Sequence, residues 1–246
     1  MNERMLKELE LLPVVKLYGM PPPAVSVQVE QPVSAPQSAP AAQPAPRVEL
    51  PVQRIEKMES LDWKSLRESV LTCTKCELCK GRTQAVFGVG SETGPWLFVG
   101  EGPGADEDQQ GEPFVGQAGK LLDNMLTAAG LKRGRDVYIA NVVKCRPPGN
   151  RTPKPEEAAA CAPYLDRQIE LIAPKVIVAL GKTAAIRLLG EDVAEKSMGS
   201  LRGRKHDYKG TPLVITYHPA YLLRTLPDKA KAWEDLLFAR RTLAAS

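Results

Sequence analysis

Four of the chain's five cysteines stand in two widely separated pairs, Cys73-x2-Cys76 and Cys145-x15-Cys161, and no other feature restricts the fold so strongly. Two thiols three residues apart grip one metal centre from a single turn. A second pair from elsewhere in the chain completes a four-sulfur shell of the kind that holds zinc or an iron–sulfur cluster. Such a centre ties sequence-distant halves of one domain together. A disulfide framework is the competing reading, but five cysteines in 246 residues is an odd and sparse count, and no apolar run with a cleavage site opens the chain. No stretch approaches roughly 18 uncharged apolar residues, so a cytoplasmic protein with no membrane contact is expected.

Composition divides the chain. Residues 21–51 hold nine of the 22 prolines and no aromatic residue. A segment so poor in apolar surface cannot offset its own ordering entropy, so residues 21–60 are expected to form a Pro/Ala/Gln-rich disordered linker. Residues 1–20 precede it as a short amphipathic segment, with Glu3, Glu8 and Glu10 among Met5, Leu6, Leu9 and Leu12. That pattern suits docking on a replication or repair protein, a frayed terminus being the plainer reading. Residues 61–246 then make one domain of ordinary size, expected to be monomeric. Residues 1–60 carry six Lys+Arg and seven Asp+Glu; taking these from 33 and 29 leaves 27 against 22 in the domain, a net of +5. That excess fits an anionic partner without proving one.

Within the domain, strand and helix patterns alternate. Residues 96–100, 137–141, 176–180 and 213–217 are short, β-rich apolar runs of the kind buried on both faces of a parallel sheet. Helical patterns fill the gaps at residues 117–129, 155–171, 182–189 and 229–243, the first ending at Gly130 and the second opening on Pro155 and two glutamates. The expected fold is therefore α/β: a three-layer α/β/α sandwich around a central four-stranded, mostly parallel sheet. Ligands of such sheets bind at the carboxyl ends of the strands. Those ends carry unusual chemistry: Gly100-Glu101-Gly102-Pro-Gly-Ala-Asp-Glu107 after the first, Asn141-Val-Val-Lys-Cys145-Arg146 after the second, Gly181-Lys-Thr after the third, and His218-Pro-Ala-Tyr-Leu-Leu-Arg224 after the fourth. Each has a bland reading as a turn or cap. Their joint placement on one crevice is what points to an active site.

An ordered set of motifs over roughly residues 65–240 resembles the family 4 uracil-DNA glycosylases, the thermostable-type enzymes that carry a 4Fe–4S cluster. The set is Cys73-x2-Cys76-x-Leu78-x3-Arg82, Val99-Gly-Glu101-Gly-Pro-Gly, Gly111-x-Pro-Phe114-Val-Gly-x-Ala-Gly119, Asn141-x2-Lys-Cys145-Arg-Pro-Pro, Cys161, and His218-Pro-Ala-Tyr-Leu-Leu-Arg224. The resemblance implies a uracil-DNA glycosylase fold and a repair enzyme that flips deoxyuridine out of single- or double-stranded DNA and hydrolyses its N-glycosidic bond, at work in the cytoplasm on the nucleoid. It implies Cys73, Cys76, Cys145 and Cys161 as cluster ligands. Cys79 departs from the pattern and leaves open whether it is a free thiol or competes with Cys76.

The resemblance further implies catalytic roles for Glu101, which would orient or deprotonate water, and His218, which would donate a hydrogen bond to uracil O2 as charge develops there. Gly102, Glu107, Phe114 and Asn141 become substrate-binding residues: Phe114 as an aromatic floor, Asn141 as the reader of N3–H and O4, Glu107 as a wall near C5. Leu222 and Leu223 form an apolar tip for the vacated base stack, with Arg224 and Arg146 against phosphate. The basic stretch Arg202, Arg204, Lys205 and Lys209 reads as a solvated loop. Two rival classes explain part of the pattern: an iron–sulfur nucleic-acid-binding module without glycosylase activity, and an electron-transfer protein. Neither needs Glu101, Asn141 and His218 at three strand ends. A histidine nucleophile after the second strand, as in a covalent branch of the superfamily, is absent from Arg146-Pro-Pro-Gly-Asn-Arg-Thr-Pro.

Overall fold

The computed structural model describes residue 58 and residues 60–245, so the amphipathic segment and nearly all of the expected linker lie outside the described residues. In chain order the elements are α1 (Trp63–Leu71), β1 (Val89–Gly90), β2 (Trp96–Gly100), α2 (Ala105–Gln110), α3 (Gln117–Ala128), β3 (Val137–Asn141), α4 (Pro155–Ile172), β4 (Val176–Leu180), α5 (Lys182–Leu189), α6 (Met198–Leu201), β5 (Lys205–Tyr208), β6 (Thr211–Thr216), α7 (Pro219–Leu222) and α8 (Asp228–Ala244). Short 3-10 turns join several of them.

The strands form one mixed six-stranded sheet in the order β1-β3-β2-β4-β6-β5. The four apolar runs are its inner strands and pair in parallel, with Val99 opposite Ala140 on one side and Ala179 on the other. Every residue of β2, β3 and β4 is buried, which is why these strands read as continuous apolar runs. The expected four-stranded sheet is corrected at both edges. β1 pairs antiparallel with β3, and β5 antiparallel with β6. A two-residue strand leaves no periodic signal, and β5 is part of the basic stretch that reads as a loop. Its Lys205 and Asp207 face solvent, charges that discourage a further strand from pairing there.

Alternate residues along each strand serve opposite layers. Leu97, Val99, Ala140, Ile177 and Ala179 pack with Leu66 and Val70 of α1, Leu165 and Ile169 of α4, and Ala184 and Ala185 of α5. Trp96, Phe98, Ile139, Val176 and Val178 pack with Leu122, Met125 and Leu126 of α3 and with Leu236 and Ala239 of α8. The three-layer α/β/α arrangement follows. Truncating Leu97 or Ile177 to Ala at the centre would remove about 2–5 kcal/mol of stability. Parallel pairing also puts Gly100, Asn141, Leu180 and Thr216 at the same edge of the sheet, where the functional side chains gather.

Candidate active site and cysteine chamber

A cavity of about 640 Å³ opens at the carboxyl ends of the strands, a size suited to a nucleotide-sized ligand. Glu101, Gly102, Glu107, Phe114, Asn141 and His218 all line it, together with Arg151, Tyr221 and Arg224. Residues spread over more than a hundred positions of sequence are thus brought together as the strand-end pattern implied.

Its floor is built on the last residue of β2. A Cβ on Gly100 would lie 2.5 Å from Asn141 Oδ1 and 2.6 Å from Phe114 Cζ, so a glycine is what lets both side chains close over the strand. Phe114 holds φ 57°, a left-handed conformation that costs a non-glycine residue roughly 1–3 kcal/mol. Its loop is clamped in compensation: Arg133 donates to the carbonyls of Pro113 (2.8 Å) and Phe114 (2.9 Å) while pairing with Asp123. The Phe114 carbonyl also sits where a Cβ on Gly119 would be, 1.9 Å away, so the start of α3 packs directly on the loop backbone. Asn141 is buried, and its Oδ1 has no hydrogen-bond partner. A buried acceptor left unpaired costs about 1–3 kcal/mol, and here it faces a ligand-sized cavity.

The two carboxylates do different work. Glu107, on α2, accepts backbone N–H bonds from Gly104 (3.0 Å), Val115 (2.9 Å) and Gly116 (3.0 Å), which staples the Gly102–Gly104 turn to the Phe114 loop. Glu101 instead accepts from the hydroxyl of Thr183 at 2.5 Å, a contact no motif pointed to. His218 is the N-cap of α7. Its Nδ1 accepts the Ala220 N–H at 3.1 Å, so a neutral ring carries its proton on Nε2. Burial, assisted by the nearby Arg224 charge and opposed by Glu107, lowers its pKa from 6.5 to about 4. At neutral pH the ring is therefore an uncharged N–H donor, 5.5 Å between centroids from Phe114.

The expected apolar tip needs a correction. Leu222 is fully buried against the α3/α8 layer, because the single turn of α7 points it inward. Leu223 is exposed at 38%, and of the two leucines it alone is free to meet DNA. Arg224 lines the cavity as expected, whereas Arg146 lies outside it, bonded through Nε to Asn150 Oδ1 at 2.7 Å. Arg151 takes the cavity position instead, held by both oxygens of Glu157 at 2.7 and 2.8 Å.

Cys73, Cys76, Cys79, Cys145 and Cys161 line a second, smaller chamber with Lys144 and Tyr164. All five are free thiols. Donors already point at the sulfurs: Arg82 Nη1 lies 2.9 Å from Cys145 Sγ and the Lys144 N–H 3.3 Å from Cys161 Sγ. Burial pushes the thiols of Cys76 and Cys145 up, and that of Cys161 to about 12. Buried thiols of this kind keep their protons until a metal takes the proton's place. Among the described residues no three His, Cys, Asp or Glu side chains converge closely enough to hold a single metal ion.

A family model, the Uracil DNA glycosylase superfamily, matches residues 87–237. Curated type-4 uracil-DNA glycosylases are similar over most of their length: that of Thermotoga maritima at 52% identity over 165 residues, covering 67% of this chain and 84% of that protein. The Archaeoglobus fulgidus protein is 47% identical over 171 residues (68% and 84%), and the Sulfurisphaera tokodaii protein 44% over 195 residues (76% and 86%). The chain belongs to the uracil-DNA glycosylase superfamily and, within it, to the type-4 uracil-DNA glycosylases.

Proposed function

We propose that the protein excises uracil from DNA by hydrolysing the N-glycosidic bond of a flipped deoxyuridine, as the first step of base excision repair. The observation that carries this reading is Asn141 Oδ1, a buried, unpartnered acceptor beside Phe114 and His218 in a cavity of nucleotide size. Uracil supplies the missing donor through N3–H, and the Asn141 amide NH2 donates to O4. Cytosine presents an amino donor and a bare N3 at those positions and would leave both groups mismatched. Phe114 stacks on the base. Glu107 sets the width of the pocket by fixing the loops on either side of Phe114, and Gly102 lets the backbone approach.

Bond cleavage leaves negative charge on the departing base and positive charge on the sugar. The Nε2–H of neutral His218 donates to O2 as that charge grows, an electrostatic contribution of a few kcal/mol. Glu101 orients or deprotonates the attacking water and offsets the sugar cation. Leu223 fills the vacated stack, and Arg224 with Arg151 meets flanking phosphates. Cys73, Cys76, Cys145 and Cys161 would hold a 4Fe–4S cluster, with Cys79 facing the same chamber. Bound there, it would serve as a structural brace, with Cys145 and Cys161 anchoring the two ends of the 146–154 segment, since hydrolysis needs no electron. The work is that of a cytoplasmic enzyme on nucleoid DNA; among the described residues no helix is long and apolar enough to cross a membrane.

Single-turnover uracil release from a labelled oligonucleotide tests the assignment. Glu101→Gln and His218→Ala should each slow excision on the order of 10²-fold or more while leaving DNA affinity nearly intact. A variant that lost only binding would show that its residue does not act on the glycosidic bond.

A further inference from the structure

The turn that closes β4, Gly181-Lys182-Thr183, is the one inner-strand end to which the chemistry above gives no task. It lies against both catalytic groups. Because β4 pairs directly with β2, the residues following β4 stand beside those following β2. Gly181 adopts φ 90°, and a Cβ there would come within 3.1 Å of His218 Cβ, so the turn backs onto the histidine. The Lys182 ammonium is turned away and bonds the carbonyl of Lys196. Thr183, the second residue of α5, sends its hydroxyl across 82 positions of sequence to Glu101 Oε2.

We propose that Thr183 is the positioning residue for Glu101. A carboxylate at the end of a flexible side chain has three torsions to settle, and a hydroxyl donor on one oxygen fixes them while leaving the other oxygen toward the bound nucleotide. The first turn of α5 also offers the positive end of a helix to the same anion. Thr183 does not line the cavity, so it acts through Glu101 and not on the substrate. This rests on the role given to Glu101 above.

A double-mutant cycle on the full chain separates this from a merely structural role. Thr183→Val keeps the shape and β-branching and removes the hydroxyl. It should lower the single-turnover excision rate about tenfold, with KM, DNA affinity and melting temperature nearly unchanged, because a hydrogen bond to a charged group is lost. Thr183→Ser, which retains the hydroxyl, should recover most of the rate. In a Glu101→Gln background, adding Thr183→Val should change the rate by less than about twofold. Equal slowing in both backgrounds would overturn the proposal, as would a Thr183→Val enzyme working at the full rate. If Thr183→Val fails to fold, the same comparison is made with Thr183→Ala, and failure of Thr183→Ser to recover the rate then overturns the proposal. A Glu101→Gln enzyme with undiminished turnover would instead sink the reading of Glu101 itself, a result distinct from any that bears on Thr183 alone.

Discussion

The substrate cavity and the cysteine chamber both draw on the stretch between Asn141 and Cys161, yet they differ in kind. In the cavity a buried acceptor has no hydrogen, and the histidine beside it has been made neutral so that it donates without carrying charge. In the chamber burial drives the thiols up in pKa while Arg82 and a backbone N–H already point at two of the sulfurs. One site is shaped for a neutral ring with a donor edge, and the other gathers five cysteines around one small chamber. Lys144 joins them. Its side chain, fully buried, donates to the Asn141 carbonyl at 3.0 Å and to Gln168 at 2.6 Å, while its backbone N–H serves Cys161. Base reading and sulfur placement thus share one residue, and perturbing either site alone tests how independent they are.

The largest effect should come from Gly100→Ala. Its methyl would collide with Asn141 Oδ1 and the Phe114 ring together, so excision should fall beyond about 10²-fold, whereas iron content should be unchanged because no sulfur lies near. Iron loss in this variant would show that the two sites are one cooperative unit. Asn141→Asp comes next. Ionised, it supplies only acceptors, so uracil excision should drop roughly 5- to 150-fold with a small gain of cytosine release, measured on oligonucleotides differing only at the target base. Undiminished uracil excision would remove Asn141 from base reading.

Cys161→Ser approaches from the other side. The purified wild-type protein should be yellow-brown with about four irons per chain, and the variant should lose colour, iron and some thermal stability. Excision should decline on the order of tenfold, because Arg151, which walls the cavity beside Asn150 and Thr152, is held by Glu157 of the helix that carries Cys161. A colourless, zinc-loaded, fully active wild-type enzyme would overturn the cluster assignment.

What the sequence made legible follows from how each signal arises. The inner strands are apolar at every position because helices cover both faces, and that pattern survives without any three-dimensional information. The edges do not: β1 is too short, and β5 keeps its polar residues in solvent. Glu101, Phe114, Asn141 and His218 were readable because they end strands or sit in glycine-flanked loops. The orientation of Leu222 was not, since two adjacent leucines in a four-residue helix are equivalent until the packing chooses one. Arg133 and Thr183 are ordinary residues whose partners lie 20 and 82 positions away in sequence, and their roles appear only when the loop carbonyls and the Glu101 carboxylate are in place.

A smaller effect should separate the two sites by pH. The folded-state pKa of His218, about 4, lies below its unfolded value near 6.5. Between those values the unfolded chain binds the proton and the folded chain does not, so the histidine's contribution is complete above pH 6.5 and is lost as pH falls toward 4. His218→Asn should flatten the decline of melting temperature over that window. An unchanged slope would mean that the ring is accessible enough to protonate in the folded protein, which would undo its assignment as a neutral donor.

The smallest effect is expected from removing residues 1–55. Among the described residues, every one that lines the cysteine chamber lies at Val70 or later, and every one that lines the substrate cavity at Glu101 or later. Its composition, nine prolines and no aromatic residue between residues 21 and 51, gives it little with which to pack on the domain. The truncated chain should therefore keep its iron, its melting temperature and, on a short oligonucleotide, its turnover within a few-fold of the full-length protein. If the segment serves to dock a replication or repair protein, the loss should appear only when that protein is present. A truncation that abolished turnover on a bare oligonucleotide would show that one of the two sites depends on residues outside the domain, and the difference in iron content would say which.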